Sequence, residues 1–405
     1  MLTVDEATRR VWATVRPLPS ETIPLPEALG RVLRKPQYAD RDFPPFDRVA
    51  MDGIAVAFAA IAAGQTTFPI ERTQLAGQPP LPLQQPHAAI EIMTGAALPP
   101  GTDTVVRYED LILNEPIDGP RAAKLQVLPP AAGHNIHPRA ADRHQGDLLL
   151  PIGTLLGPAE LAVAATIGAA TLAVTRRPRV AVVSTGDELV PITETPLPHQ
   201  IRRSNALMLQ AAAQQAGAVV SVFHFDDDLA ALQAGLPSLL HEYDAVLLSG
   251  GVSKGKADFL PLALRQAGTE ELFHEVQQRP GKPFWFGRHP QGAVVFALPG
   301  NPVSTFVNYY RYAQPWLLAI QQPVASPAAL ACAVLTQDVS FRPQLTHFLL
   351  VSLHSGPDGR LLATPERAGG SGDLASLLPS DGFLELPADS EHFAAGTVWP
   401  VWRFR

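Results

Sequence analysis

Hydrophobic spacing changes character several times along the chain. Residues 3–16 carry apolar side chains at helical intervals. Thr3 followed by Glu6 has the spacing of a capping box, and Pro17 and Pro19 end the segment. From about 54 to 132, short runs such as TTFPIERTQLAG and AKLQVLPP are broken by Gly and Pro and predict a small β-rich region. Gly157-Pro158-Ala159-Glu160 opens a predicted helix over 158–168. The pattern then shifts. Near-continuous apolar runs at 179–185, 218–225, 245–249 and 294–298 alternate with helical stretches at 204–217, 229–241, near 258–267 and 303–318. Buried strands alternating with helices predict a parallel sheet with crossovers, so 175–320 reads as a doubly wound α/β domain. Beyond 328 the alternation is that of strands again. Gly356-Pro357-Asp358-Gly359 marks a turn between two of them.

Composition narrows the function classes. The 405 residues include 46% apolar and 17% charged residues, enough for sizeable cores and incompatible with a disordered chain. A net charge of −7 argues against nucleic acid or anionic lipid as a partner of the whole surface, while leaving room for a local basic pocket. The single cysteine, Cys332, excludes an intramolecular disulfide and a Cys-rich metal site, and its apolar strand context predicts a small core residue. The 41 prolines favour rigid loops and short strands. Acids and arginines interrupt the N-terminal segment, so no signal peptide is expected. The apolar stretch 161–174 is too short to span a bilayer. The GDEL string at 186–189 is internal. A soluble, cytoplasmic protein is expected.

Candidate chemistry gathers where strands end. In open α/β sheets, ligands bind beyond the C-terminal strand edge. Three such loops stand out: Ser184 to Glu188 with Gly186; Ser249 to Asp258 with Gly250, Gly251 and Ser253; and Leu298 to Ser304 with Pro299, Gly300, Asn301 and Pro302. Glycines let backbone amides approach a ligand, and the helix starts that follow favour anions. No loop matches the P-loop, and no GxGxxG follows the first strand. Each glycine turn alone is an ordinary strand-to-helix connection; three at one sheet edge point to a phosphate-bearing ligand. Asp187 and Asp258 could hold Mg²⁺ beside it, or could cap helices. Arg279-Pro280-Gly281-Lys282-Pro283 sets two cations on a rigid turn before the apolar FWFG. His134, His137 and His144 fit no strong zinc spacing.

Seven strings in order resemble one family: PPFDRVAMDGIAV (44–56), IMTGAALPPGTDTVV (92–106), PAEL (158–161), STGDEL (184–189), GGVSKGKADF (250–259), RPGKPFWFG (279–287) and LPGNPVSTF (298–306). They resemble the molybdopterin molybdenumtransferases, which include the gephyrin E domain. The resemblance implies an extended dimerisation domain (1–40 and 133–174), an inserted β-rich domain (41–132), an α/β domain like molybdopterin adenylyltransferase (175–320) and a C-terminal β barrel (328–405). It implies a homodimer with an active site shared between subunits, and contacts with the adenylyltransferase and with molybdoenzyme acceptors. The reaction implied is insertion of molybdate into adenylylated molybdopterin, releasing AMP with help from Mg²⁺. Site residues implied are Asp52, Thr94, Asp142, Glu160, Asp187 and Asp258, with Arg279, Lys282, Ser304, Arg342 and Ser371 around the molybdate. Mg²⁺ would fall to Asp187 and Asp258.

Two departures are visible. The family's Tyr-Asp-Ser-Asn string reads Arg202-Arg203-Ser204-Asn205 here, so Arg203 replaces a carboxylate. The first cation of the cationic turn, often lysine, is Arg279, a planar fork in place of a point charge. The first departure keeps open a pterin-binding scaffold without catalysis. The α/β domain keeps open an adenylyltransferase, against which the added β domains and the cationic turn argue.

Overall fold

The computed structural model describes residues 1–114, 120–252, 259–324, 330–367 and 369–405. The chain divides into two compact units. One holds Met1–Arg34, Ile152–Leu156 and Leu172–Arg405; the other holds Lys35–Pro151 and Gly157–Thr171.

The larger unit is built on a six-stranded sheet. Arg179–Thr185, Val219–Phe225, Ala245–Ser249 and Val294–Leu298 run parallel, in the spatial order second, first, third, fourth. Two strands absent from the sequence reading, Trp285–Arg288 and Glu270–His274, extend it antiparallel. Trp285-Phe286-Gly287 of the FWFG string begins the first of these, an apolar run whose strand character the short flanks concealed. Alternation within each strand sends side chains to opposite faces. Val180, Val182, Leu247 and Phe296 pack with Leu209, Val303 and Trp316. Ala181, Val183, Leu248 and Val295 pack on the other face with Leu232, Leu236 and Leu264. Helices thus cover both sides, as the doubly wound reading requires.

The predicted helix 303–318 is three pieces. Pro302–Asn308 is α-helical, Tyr309–Ala313 is a π turn, and Gln314–Ala319 resumes the α-helix. Pro315 explains part of this, because proline cannot donate its amide to the preceding turn. The N-terminal helix is shorter than predicted, Val4–Trp12, and its capping box is present between Thr3 and Glu6.

The C-terminal strands close on themselves. Thr346–Ser355 pairs with Leu361–Pro365 across the predicted turn, and the ring continues through Ala331–Leu335, Val398–Arg403 and Gly382–Leu386 back to Thr346–Ser355. Cys332 is exposed, contrary to the core reading, because Ala331–Leu335 turns its first two residues to solvent. A sixth, two-residue strand, Gln278–Arg279, adds parallel to Thr346–His347. This tie couples the α/β layer to the barrel. A buried ion pair, Arg311 to Glu385 at 2.8 Å, makes a second tie, and Trp402 donates its indole N–H to the same carboxylate.

The smaller unit contains a six-stranded sheet in the order Thr104–Arg107, Gly53–Val56, Ala89–Ile92, Thr67–Gln74, Ala122–Leu125 and Leu111–Asn114. Gly53, in the MDG string, sits so close to its neighbour that a Cβ would lie 1.9 Å from the Val106 carbonyl oxygen. No helix among the described residues is long and apolar enough to cross a membrane.

Candidate functional site

The cationic turn and two loops meet in the larger unit. A cavity of about 530 Å³ is lined by Arg279, Lys282, Pro299, Asn301, Ser304 and Ser371, together with Gln278, His347 and Glu366. The turn begins on the short strand Gln278–Arg279, passes a cis Arg279-Pro280 bond, and reaches Lys282 through Gly281 at φ +85°. Both cations are exposed, and neither forms an ion pair with another described residue. Two positive charges without an ion-pair partner among the described residues therefore border a cleft whose lining carries one carboxylate, Glu366. Ser304 lies in the first turn of Pro302–Asn308 and is almost fully buried. Ser371 is held from both sides: Asn301 Nδ2 donates to its Oγ at 2.9 Å, and the Val303 N–H donates to its carbonyl at 3.1 Å.

His347 was not anticipated. It enters the cavity because Thr346–His347 pairs with Gln278–Arg279, a register no short-range pattern announces. Its ring stacks on Phe341 at 4.0 Å, and its Nδ1 is sheltered with no hydrogen-bond partner among the described residues. Burial, with Arg279 alongside, pushes its pKa down to about 4, so the imidazole is neutral near pH 7. Arg342, five residues earlier, is exposed and lies outside the cavity lining.

The Pro299-Gly300-Asn301 loop leads from this cavity to the ends of the parallel strands. The Gly300 carbonyl accepts from Asn205 Nδ2 at 2.8 Å, and the same amide donates to Ser249 Oγ at 2.8 Å. Gly250 has φ +103°, and a Cβ there would lie 2.8 Å from the Thr185 carbonyl oxygen; Gly251, at φ +68°, is crowded by Thr185 Oγ1. Gly186 has φ +140°, and a Cβ would meet the Glu188 carboxylate. These close approaches require glycine. Three polar atoms here are buried without partners among the described residues: Thr185 Oγ1, Asn205 Oδ1 and Arg203 Nε. Unsatisfied buried polar atoms are rare in folded proteins, and these three lie together at the strand ends.

His224 sits beside them, its Nδ1 3.0 Å from Ser184 Oγ, with its pKa lowered by burial and then by the Arg203 charge. Asp187 accepts the Asp227 N–H at 3.0 Å through one carboxylate oxygen. Its other oxygen is a hard donor of the kind Mg²⁺ takes alongside phosphate oxygens. Ser253 and Asp258 lie outside the described residues. Among the described residues, no group of three His, Cys, Asp or Glu side chains could hold a metal, His134, His137 and His144 included. Pro302 starts its helix and does not line the cavity.

The smaller unit gathers other expected residues. Asp52 Oδ1 accepts the Thr94 N–H at 2.6 Å, which holds the Asp52 carboxyl below its usual range. Asp142 lies 2.9 Å from His137 Nε2. Glu160 caps its own helix, accepting the Gly157 N–H at 2.9 Å. Also unanticipated is a polar cluster around Glu91. Arg121 grips its carboxylate with two nitrogens at 2.9 and 2.8 Å, Tyr108 donates at 2.9 Å, and Thr73 donates as well. The Tyr108 N–H in turn donates to the Asp52 carbonyl at 3.1 Å.

Comparison with known proteins matches three successive stretches of the chain. Residues 2–168 match the family described as MoeA N-terminal region (domain I and II). Residues 181–319 match a probable molybdopterin binding domain, and 332–404 match the MoeA C-terminal region (domain IV). A molybdopterin molybdenumtransferase of Synechocystis sp. is 35% identical over 99% of this chain and 100% of its own length. One from Bacillus subtilis is 32% identical, covering 98% of this chain and 93% of its own. Among solved structures, a molybdopterin biosynthesis protein from Pyrococcus horikosii superposes with a TM-score of 0.82 at 29% identity, covering 100% of this chain and 99% of the other.

Proposed function

This chain belongs to the molybdopterin molybdenumtransferase family, and from that premise we propose how its residues divide the work of inserting molybdate into adenylylated molybdopterin. It acts in molybdenum cofactor biosynthesis. The observation that carries the division of labour is the pair of cations without an ion-pair partner among the described residues, Arg279 and Lys282, sharing one cavity with Ser304 and Ser371.

Molybdate is a dianion. In a chain of net charge −7, it is held only where cations are concentrated. Arg279 and Lys282 supply charge-assisted hydrogen bonds, each worth about 1.5–3 kcal/mol. Ser304 and Ser371 add hydroxyl donors that fix the tetrahedron's orientation. The strand-end cluster takes the phosphorylated pterin: Thr185 and Arg203 donate to its phosphate oxygens, Asn205, whose amide N–H groups are committed to Gly300 and Ser249, offers an acceptor to a donor on the pterin, and the glycines let the backbone approach. The Pro299–Asn301 loop joins the two subsites, so the protein's part is to hold oxyanion and dithiolene sulfurs in register, catalysis by proximity and orientation. Asp187 and Asp258 would hold Mg²⁺, which would supply positive charge to the pyrophosphate oxygens. Asp52, Thr94, Asp142 and Glu160 would act across a homodimer, in the cytoplasm, receiving substrate from the adenylyltransferase and passing cofactor to molybdoenzymes.

The test is molybdate-dependent AMP release. Lys282→Ala is expected to raise the molybdate concentration for half-maximal rate by about 10- to 100-fold, the loss of one charge-assisted contact. An unchanged molybdate dependence would remove the cavity from the mechanism.

A further inference from the structure

The cationic turn does not rest on solvent. Beneath it lie three uncharged polar side chains whose hydrogen bonds go to the turn and to one another; Gln278 also borders the cavity. Gln278 and Asn308 are completely buried, and Tyr312 is 2% exposed. Gln278 Nε2 donates to the Gly281 carbonyl at 3.0 Å and to Asn308 Oδ1 at 2.5 Å. Asn308 Nδ2 donates to the same Gly281 carbonyl at 3.1 Å. Tyr312 closes the chain, its hydroxyl donating to Gln278 Oε1 at 2.6 Å.

We propose that Gln278, Asn308 and Tyr312 are positioning residues that set the Arg279–Lys282 turn for oxyanion capture without weakening its charge. The inference rests on the site reading above and goes further, to residues that act through the turn; Asn308 and Tyr312 line no part of the cavity.

Three features support it. First, the contacts converge on Gly281, the residue between the two cations. A Cβ on Gly281 would lie 2.6 Å from Asn308 Oδ1, so the turn and the amide are fitted to one another. Second, the groups that need partners are carbonyl oxygens, which accept only from donors. A carboxylate has no proton to give at neutral pH, whereas an amide has two. A carboxylate here would also sit beside Arg279 and Lys282 and cancel the field that draws a dianion. Third, Ser304, Asn308 and Tyr312 are spaced at four-residue intervals along one helical stretch, so they share a face. Ser304 reaches the cavity itself, while Asn308 and Tyr312 brace the turn. One helix face thus places a direct contact and its support together. The amides also commit the Gly281 carbonyl to the interior, so its oxygen is not offered to an anion.

The experiment is molybdate-dependent AMP release by the full chain, with half-saturating molybdate and maximal rate measured separately. Lys282→Ala is run in parallel. Asn308→Leu removes the donors at similar volume; it is expected to raise half-saturating molybdate about tenfold and leave the rate at saturation within about threefold. Asn308→Asp, isosteric but charged, is expected to raise it further. Tyr312→Phe keeps the ring's packing, folds even if Asn308→Leu does not, and is expected to give a two- to threefold rise. Half-saturation unchanged in both Asn308→Leu and Tyr312→Phe overturns the proposal while Lys282→Ala still shifts it. A proportional fall in rate at every molybdate concentration, with no shift in half-saturation, also overturns it, because that is lost protein and not lost positioning. If Lys282→Ala leaves molybdate dependence untouched, the site reading itself falls.

Discussion

Two buried polar networks in this chain solve opposite problems. In the smaller unit, Glu91 carries a full negative charge inside a sheet and is neutralised on the spot by the two-nitrogen grip of Arg121, with Tyr108 and Thr73 filling the remaining lone pairs. The hydrogen bonds from Arg121 hold its pKa at about 2 despite burial, and burial plus Glu91 push Tyr108 up to about 12. In the larger unit, the network under the cationic turn has no charge at all. The lesson is about where charge is allowed to show. A network that only holds strands together cancels its charges internally. A network that supports a binding turn is neutral, so the charges on the turn remain available to a ligand.

This contrast can be broken from either side. The largest expected effect is Arg121→Met, which strands a buried carboxylate; it is expected to cost about 3 kcal/mol of unfolding free energy, read by urea titration. Lys282→Ala should be near neutral in the same titration, since its ammonium is already unpaired. A smaller effect appears with acid. The folded pKa of Glu91 lies about 2 against 4.5 for the ordinary group, so its stabilisation is present above pH 4.5 and is lost as pH falls toward 2. Glu91→Gln should therefore flatten the stability profile in that window by about 1 kcal/mol, allowing for the solvent-exposed rim around Arg121. Gln278 and Asn308, having nothing to titrate, should add no slope there. The smallest effect is Arg342→Ala. Because Arg342 lies outside the cavity lining, half-saturating molybdate should change less than twofold, and a tenfold change would place it in the pocket.

What the sequence made legible follows from range. The four parallel strands announced themselves because a strand buried on both faces must be apolar throughout. The Thr3–Glu6 cap and the Gly356–Gly359 turn were readable for the same reason: each is complete within a few residues. The cations of the turn, the strand-end glycines and the Pro299–Asn301 loop were all nameable from short motifs. Their convergence was not. His347 reaches the cavity through a two-residue parallel pairing between segments nearly seventy positions apart. Glu91 sat inside the apolar AIEI run, where its partner 30 residues away could not be inferred. Asn308 and Tyr312 looked like ordinary helix interior, and only the bonds to Gly281 and Gln278 give them a purpose. Arg342 shows the converse: a local motif located it, and tertiary packing left it outside.

The pairing of Gln278–Arg279 with the closed C-terminal ring has a consequence in time. A ribosome releases this chain from its first residue to its last, and domains tend to fold in that order. The α/β layer, with Asn308 and Tyr312 bracing the turn, can be complete once residue 319 has emerged, whereas the strand that pairs with Gln278–Arg279, Thr346–Ser355, belongs to a ring whose last described strand ends at Arg403. A chain without the ring would therefore carry Arg279 and Lys282 on a turn that lacks its strand pairing and the His347 side of the cavity. The order of synthesis thus places the pairing that completes the cavity after the sheet it leans on.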